Sequence, residues 1–277
     1  QMCIRDRWSS AFITTKPIVD NSDPFAALAF RFFFVALGFF LFSFYLNQSL
    51  ITNKRKIAES VLSGVLFHGF YLGGVFYSIS IGMPVGIAAL IVTLQPVLTN
   101  ILSGPILDEK ITTQQWIGVL LGFTGASLVL GLDIGSGIPL LGLIATIIAL
   151  LSITISTIWQ KKISKNLPLS VSNFYQAFGG CLFHVLIVIF FAEPYINFNK
   201  VFIIAMSHQV LLVSFGAFTI LMLLIKKNSA SKTVSIFFLI PSTSALMAWF
   251  FLNEKLTNLD IVGFIVTSVG VYIATRD

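Results

Sequence analysis

The sequence predicts an all-α integral membrane protein of about ten transmembrane helices arranged as two inverted five-helix repeats. Three observations carry this. Only 10% of the 277 residues are charged, at a mean hydropathy of +0.94. The apolar runs are long and unbroken, and the second half of the chain repeats the first. A soluble domain averages about 25% charged residues, so this chain has too few charges to cover a water-facing surface. Barrel strands alternate apolar and polar residues over about ten positions. From Ser60 to Leu107, by contrast, 48 residues pass without a Lys, Arg, Asp or Glu. A soluble enzyme, a disordered chain, a DNA-binding domain and a porin-type barrel are therefore all poor fits.

A spanning helix needs about 20 apolar residues. Charge-free windows and Gly/Pro punctuation place α1 up to about Val19, α2 at about Ala26–Leu46 and α3 at about Val61–Ile81. Gly82-Met83-Pro84 then separates α3 from α4, at about Val85–Leu107. The remaining spans are α5 at about Gln114–Leu132, α6 at Leu140–Trp159, α7 at Ser172–Phe191, α8 at Met206–Ile225, α9 at Thr233–Leu252 and α10 at Leu259–Thr275. No soluble domain fits in what remains. Residues 1–7 are charged where α1 should begin and lack the apolar run of a signal peptide, so they read as a truncated or foreign start outside the fold.

Orientation follows from the basic residues. The loops after α2, α4, α6 and α8, with the C-terminal end, carry eleven Lys and Arg, against Lys16, Lys200 and Lys255 on the other side. The expectation is a multi-pass protein of the cell (inner or plasma) membrane with both termini cytoplasmic. The net charge of +6 thus belongs to loops beside a lipid bilayer and not to a nucleic-acid surface. Cys3 and Cys181 offer no disulfide framework, and Cys181 reads as a small buried apolar residue.

Residues 94–125 and 239–270 align without a gap at an offset of 145, with Leu94/Leu239, Pro96/Pro241, Glu109/Glu254, Lys110/Lys255, Thr112/Thr257, Gly118/Gly263 and Gly125/Gly270 identical. The same offset places Lys16 on Lys161 and Arg31 on Gln176. Two halves follow, residues 8–132 and 140–275. An odd number of spans per half inverts the second half in the membrane, which is a signature of secondary transporters.

With these residues in hand, the sequence resembles the EamA-type ten-helix transporters of the drug/metabolite transporter superfamily. The matching pieces are Trp8-Ser9-Ser10-Ala11-Phe12 with Lys16, and Ala29-Phe30-Arg31-Phe32. Stronger are Gln95-Pro96-Val97, Asp108-Glu109-Lys110-Ile111-Thr112 and Trp116-Ile117-Gly118, echoed by Ile240-Pro241 and Asn253-Glu254-Lys255-Leu256-Thr257. The resemblance covers Trp8 to Ala274. It implies transport of small metabolites, amino acids or drugs, commonly outward, and fixes no substrate.

Intramembrane polar residues are functional candidates because burying them is costly. His68 and Tyr71, at i and i+3, share one face of α3. Gln95 adjoins the Pro96 kink, Gln176 occupies the position matching Arg31, and Trp159 closes α6. These five, with the helix-breaking Pro96 and Pro241 that free carbonyls near Val92 and Phe237, are the expected substrate pathway. Interhelical hydrogen bonding is the competing role for each polar member. All eleven acids lie in loops, at helix ends or in residues 1–7, which disfavours a membrane-embedded carboxylate as proton carrier. Proton coupling would instead fall to His68 or His184; the alternative is facilitated or exchange-driven transport.

Glu109 and Glu254 read as structural turns. Thr112 with Gln115, and Thr257 with Asp260, stand at capping-box spacing for α5 and α10. For Lys16 and Arg31, a phosphate or carboxylate clamp is the alternative; the expectation is that Lys16 pairs with Asp20 at i, i+4 and that Arg31 snorkels outward or meets Asp23. No P-loop, zinc-ligand spacing or nucleophile elbow is present, so neither metal nor cofactor is expected. The function expected is a secondary transporter, not an enzyme, acting on small molecules by alternating access and exporting them. The alternative is a membrane-embedded enzyme or receptor-like protein. Monomer and homodimer both stay open.

Overall fold

The computed structural model describes residues 11, 14–50, 53–130, 138–163, 166–191, 193–239 and 258–276. The protein is an all-α, multi-span membrane protein. Among the described residues the one β contact is an isolated bridge, Ser22 to Ile196. The helix bounds are Pro24–Tyr45 for α2, Lys54–Ser80 for α3, Val85–Leu107 for α4, Leu140–Ile163 for α6, Leu169–Phe191 for α7 and Lys200–Lys227 for α8, each long and apolar enough to cross a bilayer. Thr113–Leu130 forms α5 and Asn258–Thr275 forms α10. Of α1, residues 14–19 are helical. Of α9, Ala230–Ser235 is α-helical and Ile236–Phe238 tightens to a 3-10 turn. Pro241, Glu254 and Thr257 lie outside the described residues.

Helix starts are set by caps. Asp23 accepts from Ala26 N at 2.7 Å and precedes Pro24 at the first helical position of α2. Asn53 accepts from Arg55 N at 2.8 Å, which starts α3 seven residues before the apolar run does. The added turn is polar and is braced by Arg55–Glu59 at 3.0 Å. Hydropathy reads the bilayer portion of a helix and misses such extensions. At α5, Gln115 Oε1 accepts from Thr112 N (2.9 Å) and Thr112 Oγ1 accepts from Gln115 N (3.2 Å), a reciprocal capping box. Helix α4 breaks at Thr93-Leu94, just before Pro96, whose ring and missing N–H cannot continue the turn.

The described helices of the two halves follow the 145-residue offset closely: α2 begins at Pro24 and α7 at Leu169, α4 at Val85 and α9 at Ala230. Packing repeats it too. A methyl group on Gly118 would overlap Gly270 O at 2.6 Å, and one on Gly125 would overlap Gly263 O at 2.7 Å. Gly263 and Gly270 are the offset counterparts of Gly118 and Gly125. Residue pairs that exchange in this way mark a two-fold relation, here between α5 and α10. The absence of side chains lets the two backbones touch.

Connections α2–α3, α4–α5, α6–α7 and α8–α9 emerge on one face, called the basic face below. There Glu109 accepts from Ala230 N (2.8 Å) and Ser231 N (3.3 Å), so it caps α9 and not its own neighbour α5. Lys161 Nζ donates to Ile225 O at 3.0 Å and to Asn228 O at the end of α8. The Glu109 contact joins one half to the other, and the Lys161 contact ties α6 to α8 within the second half. On the opposite face, Lys16 pairs with Asp20 as its spacing suggests.

Candidate substrate cavity

Both α3 and α8 depart from α-helical winding midway. Val65–Tyr71 in α3 and Gln209–Phe218 in α8 are π-helical, and the offset of 145 superposes the first on residues 210–216. A π turn inserts a residue, re-aims the side chains around it and frequently marks a function. Here the two turns face each other across a narrow cavity, in the half of the molecule nearer the face opposite the basic one. Helix α3 contributes Phe67, His68 and Tyr71, α8 contributes Gln209, Ser214 and Phe218, and Arg31 enters from α2. Ala11 and Thr15 of α1 complete one wall.

Arg31 is 3% exposed, on the buried face that Ala27, Leu28, Phe32 and Val35 also define. Its Nε donates to Ser214 Oγ at 3.0 Å, and its guanidinium lies 5.3 Å from the Phe32 ring centroid. This corrects the expectation that it snorkels outward or meets Asp23. Seven positions into α2 put it about 10 Å below the helix start, too deep for its stem to regain water, and Asp23 is engaged as the cap. The guanidinium is the one charged group on the described cavity wall.

His68 is buried between Phe32 and Phe218, with ring centroids 4.4 and 4.6 Å away. Its Nδ1 meets no hydrogen-bond partner among the described residues, and neither does Gln209 Oε1. Gln209 Nε2 donates to Ala11 O and Thr14 Oγ1, both at 2.9 Å, which ties α8 to α1. His184 stands behind the cavity: its Nε2 donates to the His68 carbonyl at 2.9 Å and so braces the π turn from α7. Tyr71 is buried on the wall one turn beyond His68.

The other expected pathway residues stand elsewhere. Gln95 is buried and donates from Nε2 to Thr157 Oγ1 of α6 at 2.9 Å, next to the break that precedes Pro96. Gln176 Oε1 accepts from Gln160 Nε2 at 3.0 Å and from Ser63 Oγ at 3.5 Å, while its Nε2 donates to Ser172 Oγ at 3.1 Å. Trp159 Nε1 donates to Glu59 O at 3.2 Å. Ser63, Ser156, Gln160 and Gln176 thus form a polar layer between α3, α6 and α7, on the basic side of the aromatic floor made by Phe67 and Phe218. A small pocket borders that layer at Gln160, Ser172 and Gln176. Three or more metal-ligating side chains do not come together anywhere among the described residues.

Gln209, Ser214 and Phe218 do not stand out in the sequence, and Arg31 is weighed there as an anion clamp only with Lys16, which instead pairs with Asp20 at the helix end. Helix α2 is apolar on every side, so periodicity does not expose its buried face, and a π turn leaves no sequence period at all. For Arg31 the available signals are its intramembrane charge and the offset, which places it opposite Gln176.

The chain is similar to known transporters along its whole length. A profile described as the EamA-like transporter family matches residues 7–131 and again 140–276. An uncharacterized transporter of Bacillus subtilis, YvbV, is 27% identical over 77% of this chain and 69% of its own length. A probable amino-acid metabolite efflux pump of Escherichia coli is 21% identical over 96% of this chain and 90% of its own. A solved crystal structure superposes with a TM-score of 0.82 at 17% identity, covering 99% of this chain and 94% of that one.

Proposed function

This chain belongs to the EamA-like transporter family, and from that premise we propose that it is a secondary transporter that exports small amphipathic metabolites by alternating access. It is a membrane transporter by family. Direction, substrate and mechanism are the proposed part. The observation that carries the reading is the cavity between the two equivalent π turns, one from each half. Two inverted halves with equivalent interfaces can exchange conformations, so that a site open toward one face becomes open toward the other. The contact of Glu109 with the start of α9, from one half to the other across the basic face, supports a conformation closed on that side. The distribution of Lys and Arg supports placing that face in the cytoplasm of a cell membrane, with both termini there.

Coupling, in this reading, runs through His68. Each histidine has an Nδ1 without a partner among the described residues, but His68 lies on the cavity wall, whereas His184 stands behind it with Nε2 on a backbone carbonyl. No carboxylate on the described cavity wall competes for the role.

The test is uptake and efflux of a metabolite panel in cells and proteoliposomes with and without the full-length protein. Saturable, protein-dependent flux and counterflow are expected. Confirmed expression with no flux difference across a broad panel would overturn the proposal. For coupling, His68→Gln should abolish dependence on a pH gradient while counterflow persists, and an unchanged gradient dependence would remove His68 from that role.

A further inference from the structure

We infer that the substrates are amphipathic monocarboxylates lacking an ammonium group, of the 2-oxo or 2-hydroxy acid class with an apolar or aromatic side chain, and that Arg31 holds the carboxylate. The inference rests on the transporter reading and specifies its cargo. Arg31 carries a fixed positive charge into the membrane interior, 3% exposed, with one hydrogen bond to Ser214 and no ion pair to any described acid. The ion pairs found among the described residues, Lys16–Asp20 and Arg55–Glu59, both stand at helix ends. A buried cation without a counter-charge is strongly unfavourable, and a guanidinium presents a planar fork matched to a carboxylate. An anionic ligand therefore supplies what the protein withholds.

The walls define the remainder of the ligand. Phe67, Tyr71, Val75, Phe76, Val213 and Phe218 offer an apolar, largely aromatic surface suited to one ring or branched chain. Gln209 Oε1 and His68 Nδ1, both buried and without a partner among the described residues, offer neutral polar contact beside the carboxylate: Gln209 Oε1 accepts from a hydroxyl, and His68 Nδ1 donates to a keto or hydroxyl oxygen, or accepts from a hydroxyl, according to its tautomer. An α-amino acid would instead place its ammonium one carbon from the carboxylate, hence beside Arg31, with no described acid on the wall to receive it. Like charges at that separation repel. This distinguishes the site from one built for zwitterions.

The experiment is counterflow of radiolabelled phenylpyruvate in proteoliposomes of the full-length protein, with protein-free vesicles as the leak control. Phenylpyruvate and phenyllactate should exchange at least about tenfold faster than phenylalanine, a difference of about one decade in relative affinity. Acetate and 2-phenylethylamine should compete poorly, the first for lack of an apolar body and the second for its charge. Arg31→Gln should abolish exchange, and Arg31→Lys should raise KM about tenfold by losing the bidentate fork. Since Arg31→Gln removes a buried group, binding is read separately: phenylpyruvate should raise the melting temperature of the wild type and not that of a folded Arg31→Gln protein. Preferred exchange of phenylalanine or of the amine, or full activity of Arg31→Gln, overturns the inference and leaves the transporter reading standing. No exchange of any probe or metabolite by correctly inserted wild type overturns both.

Discussion

Arg31 and Gln176 occupy equivalent positions in the two halves, and their surroundings differ sharply. Arg31 reaches across to Ser214 of α8 and faces an open cavity. Gln176 reaches across to Ser63 of α3, and there the helices are closed by a layer of mutual hydrogen bonds. Glycines explain much of the difference. In the closed interface, a methyl group on Gly64 would overlap the backbone of Gln176, and one on Gly180 would stand 2.5 Å from His68 Cβ. Their offset counterparts are Gln209 and Val35. Where α3 and α7 touch backbone to backbone, α2 and α8 are held apart by a side chain, and the gap is the cavity. Equivalent positions thus carry different tasks: satisfied polar groups with glycine contacts make a seal, and unsatisfied polar groups between bulky neighbours make a site.

The largest effect comes from breaking the seal. Gly180→Leu forces a branched side chain into His68 and should cost about 3 kcal/mol through overpacking, read as a marked fall in the melting temperature of the detergent-purified protein. Stability equal to wild type would remove glycine contact as the cause of the closed interface. Next comes the hydrogen-bonded layer itself. Gln176→Leu leaves Gln160 Nε2, Ser63 Oγ and Ser172 Oγ without their common partner, at about 2 kcal/mol in total if each intramembrane bond contributes about 0.6 kcal/mol. An unchanged melting temperature would show that the layer does not hold α3 to α7.

On the cavity side, Ser214→Ala removes the one protein acceptor that orients Arg31. The loss of a hydrogen bond to a charged group costs about 1.5 kcal/mol, yet this serine holds the arginine and not the fold. The expected outcome is therefore a several-fold rise in KM with little change in melting temperature. The reverse pattern would assign Ser214 to packing. Gln176→Leu and Ser214→Ala together test whether stability and substrate recognition divide between the two equivalent poles.

How far this division was legible in the sequence depends on the kind of information each residue carries. The spans and the offset of 145 could be read directly, because hydropathy and self-similarity survive in a one-dimensional string. The turn residues Thr112 and Gln115 were equally readable, since a capping box is local. Glu109 was placed in a turn, but its partner is the start of α9, 121 residues away, and no local pattern encodes that. His68 and Tyr71 were identified by spacing, while Ser214 and Gln209 were hidden among many small polar residues of apolar helices. Gln95, Gln176 and Trp159 look the same as His68 in sequence. Only their neighbours distinguish them, since each of the three has a hydrogen-bond partner on another helix.

Trp159 gives the smallest and most discriminating prediction. Its indole N–H donates to the Glu59 carbonyl at 3.2 Å, near the basic end of α6 and below the sealed layer. Trp159→Phe keeps an aromatic body and deletes one donor, so the expected loss is about 0.6 kcal/mol, the average for a hydrogen bond between membrane helices. The Glu59 carbonyl stays near the interface, where water can replace the indole. Transport by the substituted protein should match wild type in KM and in maximal rate, since the side chain lies away from the cavity around Arg31. A raised KM in counterflow, without loss of stability, would extend the pathway through the layer to the basic face and make Trp159 part of the route. That outcome would also merge the two poles into one continuous site.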